Sequence, residues 1–323
     1  MRLYRSILLL ATVVAFCVVS LGAYVRLSDA GLGCPDWPGC YGQLLGVPEQ
    51  PDEQSAARQA FPGKPLQADK AWKEMLHRYL AGSLGLLILA IFVLAWRRRK
   101  LLRQSPFLPT LLLAVVCFQA ALGMWTVTLL LKPIIVTAHL IGGMTTLALL
   151  LWLLLRQSDF RPISTASRGL RFAGLLALLA IIALGGWVSS NYAALACSDF
   201  PACQGTWLPA MDFAHAFQFR HELGQTDNGA LLSNSALTAI HWTHRVGALI
   251  VLVVAGALAS ALLRSQHGRR WGLLLALALG GQILLGIANV LFSLPLPLAV
   301  AHNTGAAILL AITLALNLRL SRH

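Results

Sequence analysis

Four of the nine histidines in this 323-residue chain stand at matching places in its two halves: His77 and His139, then His244 and His302. A neutral imidazole is the commonest side-chain ligand of transition metals, and two of them on facing helices of a bundle hold a haem iron from both sides. The flanking residues extend that chemistry. Glu74 precedes His77 by one helical turn and Arg78 follows it; His241 precedes His244 and Arg245 follows it. A guanidinium at such a position can pair bidentately with a porphyrin propionate. A carboxylate beside a haem edge can relay protons or stabilise a cationic intermediate, which assigns catalysis to the half that carries Glu74. Simpler readings are arginines that anchor at an interface, an acid that complements a helix N-terminus, and histidines that merely pack between helices. Zinc is a poorer fit than haem, since His77 and His139 have no closely spaced companion ligands.

The repeat runs through the whole chain. LGAYVRLSDAGLGCPDWPGCYG (21–42) overlies LGGWVSSNYAALACSDFPACQG (184–205) without gaps at an offset of 163. EMLHRYLAG (74–82) matches HWTHRVGAL (241–249) at 167, and the offset of 163 returns to pair Gln119 with Gln282, Gly123 with Gly286 and His139 with His302. This is a tandem duplication.

The elements that position these residues are membrane spans. The chain is 57% hydrophobic and 11% charged, too apolar to coat a soluble globule. Segments near 7–25, 75–95, 108–128, 135–155, 170–188, 237–263, 271–292 and 298–317 each suit a span of about 20 apolar residues. The first could pass for a signal peptide, but its repeat partner lies mid-chain, so it reads as a retained helix. The expected fold is all-α: eight transmembrane helices in two tandem four-helix bundles, residues 1–158 and 159–323, related by a pseudo-twofold axis along the membrane normal.

A net charge of +13 would suggest nucleic acid for a soluble chain, but its distribution points to topology. Arg2, Arg5, Arg97, Arg98, Arg99, Lys100, Arg103, Arg156, Arg161, Arg168, Arg171, Arg264, Arg269, Arg270, Arg319 and Arg322 share one side with a single acid, Asp159. The positive-inside rule puts both termini in the cytoplasm and the loops 26–74 and 189–236 outside. In that oxidising compartment Cys34 and Cys40, and Cys197 and Cys203, form disulfides, with Pro35, Pro38 and Gly39 supplying the tight turn. Trp37 and Phe200 then offer aromatic faces at the mouths of the haem pockets. A reducible, redox-active pair is the competing reading. Cys17 and Cys117 read as small apolar fillers inside spans. His215 and His221 read as surface histidines, with a zinc site as the alternative.

Taken in order, the eight spans, the duplication, E-x-x-H-R at Glu74–Arg78, the paired cysteines and the later histidines resemble the haem A synthase family over Leu21–Gly305. The resemblance implies oxidation of a ring methyl of haem O to a formyl group, by successive hydroxylation, to give haem A for terminal oxidases. It implies substrate haem at His77 and His139, Glu74 as the important carboxylate, and a b-type haem cofactor at His244 and His302; the residue argument above adds Arg78 to the first site and Arg245 and His241 to the second. It further implies Cys34–Cys40 as a disulfide, the second cysteine pair being less uniform in such proteins, and a bacterial cytoplasmic (inner) membrane location with the haem sites near the outer face. Expected partners are membrane lipid, haem O, a haem O synthase, an electron donor and further copies of the chain, with no nucleic acid. The residues alone leave two other functions open: a dihaem cytochrome oxidising quinol, and a haem carrier without chemistry. A six-coordinate haem has no open position for oxygen, so methyl oxidation requires a histidine to leave the iron or oxidising equivalents to arrive another way.

Overall fold

In the computed structural model of the chain, residues 2–102, 105–157 and 166–319 are described. The helices are α1 (Arg2–Leu27), α2 (Pro51–Ala60), α3 (Ala68–Arg97), α4 (Arg99–Leu102), α5 (Phe107–Thr128), α6 (Pro133–Arg156), α7 (Arg168–Ser190), α8 (Phe213–Ala216), α9 (Asn234–Leu263), α10 (Arg269–Leu291) and α11 (Leu296–Arg319). Among the described residues there is no β-strand beyond isolated bridges, and eight helices are long and apolar enough to cross a membrane. The all-α, multi-pass expectation holds, because an apolar layer leaves backbone groups no partner but their own helix.

The chain forms two compact units, Met1–Thr146 and Leu147–His323. In the first, α3 packs against α1 and α5; in the second, α9 packs against α7 and α10, and α11 against α7 and α10. The boundary expected at 158/159 lies outside the described residues, as do Arg103, Asp159, Arg161 and Arg322 of the charge argument.

Three helices begin ahead of their apolar stretch: α1 at Arg2, α3 at Ala68 and α9 at Asn234. Polar turns (ADKAWKE in α3) continue the helix beyond that stretch. His77 and His244 are the tenth and eleventh residues of their helices. Cys17 and Cys117 are exposed on their helices and do not fill a core.

The duplication extends to the backbone. Non-glycine residues with positive φ pair at the repeat offset: Asp29 (51°) with Tyr192 (55°), Tyr41 (52°) with Gln204 (55°), and Leu131 (60°) with Leu294 (60°). The left-handed conformation is unfavourable for such side chains, so its recurrence marks turns rebuilt identically. Leu131 N–H closes its turn on Thr126 O at 2.8 Å, and Leu294 N–H closes on Asn289 O at 2.7 Å.

Candidate functional site: paired histidines beneath disulfide loops

Each unit presents two histidines on separate long helices; in the second unit, α9 and α11 each pack against α7 and α10. His77 on α3 and His139 on α6 are close enough to interact electrostatically, as are His244 on α9 and His302 on α11. All four rings are half-buried, yet in each the Nδ1 atom is enclosed and without a partner. The accessible part of the ring is therefore the remainder, which includes Nε2. A ligating Nε2 lone pair places the proton on Nδ1, so a pair of such rings has the donor chemistry for the two axial positions of a porphyrin iron.

A glycine on the preceding long helix backs every ring. A Cβ on Gly22 (α1) would lie 3.0 Å from Cε1 of His77, and one on Gly123 (α5) 3.5 Å from Cε1 of His139. In the second unit the distances are 3.2 Å from Gly185 (α7) to His244 and 3.2 Å from Gly286 (α10) to His302. The glycines leave room for the Cε1 atom of each imidazole to come up against the neighbouring helix, which restricts where the ring can lie. One turn beyond each α6 and α11 histidine, a second glycine makes a notch for a glutamine: Gly142 for Gln119 and Gly305 for Gln282. Gln282 Nε2–H donates to the carbonyl of His302 at 2.9 Å. These glycines and glutamines carry out positioning work that sequence reasoning missed. The signal was present, since all of them obey the offset of 163, but nothing in a linear pattern says what a glycine faces.

The residues flanking the first histidines hold the disulfide loops. Cys34–Cys40 and Cys197–Cys203 are both disulfides. Each loop closes with paired backbone bonds, Cys40 with Gln43 and Cys203 with Thr206. An aspartate caps each turn: Asp36 accepts from Tyr41 N–H at 2.6 Å and Gly42 N–H at 2.8 Å, and Asp199 accepts from Gln204 N–H at 2.6 Å and Gly205 N–H at 2.8 Å. The amides of Gly205 and Gln204, with the Arg245 charge, hold the Asp199 carboxyl below its usual value.

Under the first loop, the buried Glu74 accepts from Cys34 N–H at 2.9 Å through Oε2 and from Arg78 at 2.5 Å through Oε1. Arg78 Nη1 donates to the loop carbonyls of Asp36 at 3.0 Å and Pro38 at 3.3 Å, and also to that of Gly39. Under the second, His241 Nδ1 faces Cys197 N–H at 3.3 Å, and Arg245 donates to the carbonyls of Ala202 at 2.7 Å, Cys197 at 3.0 Å and Asp199 at 2.8 Å. Both arginines are thus committed to peptide carbonyls of the loops. Trp37 and Phe200 are partly exposed, and the Arg245 guanidinium stands 6.0 Å from the Phe200 ring centroid.

The family model described as cytochrome oxidase assembly protein, COX15-CtaA, matches residues 5–314. The chain belongs to this family. Among curated relatives it is 43% identical to a heme A synthase of Shewanella oneidensis over 96% of this chain and 94% of that one. A heme A synthase of Agrobacterium fabrum is 30% identical, covering 97% of this chain and 89% of its own, and one of Chelativorans sp. is 29% identical over 97% and 90%.

The remaining histidines of this COX15-CtaA chain correct one expectation. His221 is not a surface residue: it is 1% exposed, its Nε2 meets Asn191 Oδ1 at 2.7 Å, and its ring packs edge-on to Trp187 at 5.5 Å. It pins the second long loop to the end of α7. His215 pairs with Asp212 at 2.6 Å. Among the described residues no three His, Cys, Asp or Glu side chains converge on a metal-sized point.

Proposed function

We propose that the chain is a haem A synthase of the bacterial cytoplasmic membrane, with both termini cytoplasmic and both disulfide loops on the outer side. It takes haem O as substrate and oxidises a ring methyl to the formyl group of haem A. Substrate haem lies between His77 and His139, and a b-type haem between His244 and His302. The observation that carries this reading is the fourfold recurrence of one arrangement: a half-buried histidine with Nδ1 enclosed and unpartnered and its Cε1 set against a glycine of the neighbouring helix. When bound, the b-type haem supplies one-electron redox chemistry.

The chain's own residues hold and orient. The histidines bind, the glycines restrict where their rings lie, and Gln282 fixes the backbone at His302. Glu74 sets a negative charge one turn from His77 while anchoring the loop above it, and His241 leaves that place in the second unit without a carboxylate. This asymmetry favours an enzyme over a dihaem electron carrier, since a simple electron conduit gains nothing from a carboxylate at one of its two haems. Haem O synthase is the proposed donor of substrate. Co-expression with a haem O synthase, followed by haem extraction and chromatography, tests the reading. Haem A or its hydroxylated precursor is expected, and haem O alone overturns it.

A further inference from the structure

Each disulfide loop ends in a bare apolar tip. Leu44 and Leu45 are 74% and 79% exposed, and at the equivalent repeat positions Trp207 and Leu208 are 72% and 74% exposed. No charged residue occurs from Cys40 to Pro48 or from Cys203 to Met211, although charges are frequent elsewhere in both loops. Water is a poor environment for such tips, and both copies keep large apolar residues there although Leu44 and Trp207 differ.

The tips are also held at a particular height. Gly46 N–H donates to the Tyr79 hydroxyl of α3 at 2.6 Å, and Trp242 Nε1–H of α9 donates to the carbonyl of Trp207 at 3.2 Å. An apolar layer about 30 Å thick takes about 20 helical residues. Counted back from the charged ends at Arg97 and Arg264, it ends near residues 77 and 244, within one turn of Tyr79 and Trp242. Each tip therefore lies beside a spanning helix where the apolar layer meets its headgroups, the zone that favours tryptophan and leucine.

We propose that Leu44–Leu45 and Trp207–Leu208 insert into the bilayer interface and anchor the two disulfide loops to lipid. Arg78 and Arg245 grip the loops from within and lipid grips them from without, so each loop is fixed on both sides above its pair of histidines. Lipid is the occupant because the tips are tied to Tyr79 and Trp242, at the height where lipid already surrounds the helices, on which Leu76 and Leu249 are themselves exposed. The inference rests on the membrane placement of the helices and is independent of the reaction.

The test uses the full chain in lipid nanodiscs, with Cys17→Ala and Cys117→Ala removing the two free thiols. A nitroxide is attached at Leu45→Cys or Leu208→Cys, and Ser55→Cys on the polar helix α2 serves as the aqueous reference. Collisions with oxygen, which concentrates in lipid, are compared with those of a water-soluble nickel chelate. The oxygen-to-nickel ratio is expected to be several-fold higher at 45 and 208 than at 55. A ratio equal to the reference means a tip in water, and shielding from both agents means a tip covered by protein; either overturns the proposal. Leu44→Cys and Trp207→Cys repeat the measurement should the first pair fail to fold. A chain that makes no haem A yet shows lipid-exposed tips removes the catalytic reading and leaves this one standing.

Discussion

The first disulfide loop is held by Glu74 and Arg78, the second by His241 and Arg245, and the difference between these two clasps separates scaffold from chemistry. Loop, turn, capping aspartate and arginine are the same in both. In the first unit the anchor is a carboxylate that accepts at both oxygens, and its side chain and that of Arg78 are only 7% and 13% exposed. In the second, both ring nitrogens of His241 face donors, Cys197 N–H and Arg245 Nε–H, each at 3.3 Å. A neutral imidazole offers one acceptor nitrogen, so only one of those bonds forms at a time. Duplication supplied two equal loop-over-histidine frames, and one substitution gave one of them a buried charge.

The largest expected effect breaks the symmetry outright. His77→Ala or His139→Ala should abolish haem A formation while the chain still retains the haem of the second unit, measured by haem extraction from purified protein. Equal loss of haem from both units would contradict independent sites.

Next come the clasps themselves. Glu74→Ala strips a buried ion pair of its acid and orphans the Cys34 amide, a loss of about 3 kcal/mol. His241→Ala removes one weak neutral bond, about 1 kcal/mol. Thermal unfolding and protease sensitivity of the two loops should show the first variant more damaged than the second. If Glu74→Ala also makes haem A at the normal rate, its carboxylate has no part in the reaction.

How much of this was legible in the sequence differs by level. Hydropathy located all eight spans because burying about 20 apolar residues is a composition effect, and the four histidines stood out because imidazoles inside spans are costly. The starts of α3 and α9 were not legible, since their polar first turns look like loop. The loop carbonyls that Arg78 and Arg245 meet were also hidden, since they converge only after each seven-residue loop has closed. The four backing glycines were visible as repeat partners, yet only packing reveals that each faces a ring.

A smaller effect tests that packing. Gly22→Ala brings a methyl to 3.0 Å from His77, whereas Gly123→Ala meets His139 at an ordinary 3.5 Å. Overpacking of this kind costs about 1–3 kcal/mol. Gly22→Ala should weaken haem retention and shift the electron paramagnetic resonance of the bound haem, and Gly123→Ala should leave both unchanged.

The smallest effect is acid sensitivity of the second loop. The Asp199 carboxyl titrates lower when folded, held down first by the Gly205 amide and then by the Gln204 amide and Arg245. Its stabilisation is complete above the ordinary carboxylate value, about 3.9, and is lost as pH falls from there through the folded value. Asp199→Asn should remove that acid-side dependence, followed as loop proteolysis below about pH 4.

Electron paramagnetic resonance of the purified protein, recorded for the wild type and for His244→Ala, tests most directly whether each unit binds one haem between its own two histidines. The wild type should show low-spin, bis-imidazole haem in both units; His244→Ala should remove the second unit's signal and leave the one that requires His77 and His139. A colourless wild type, or a His244→Ala protein that keeps the full wild-type signal, would contradict it.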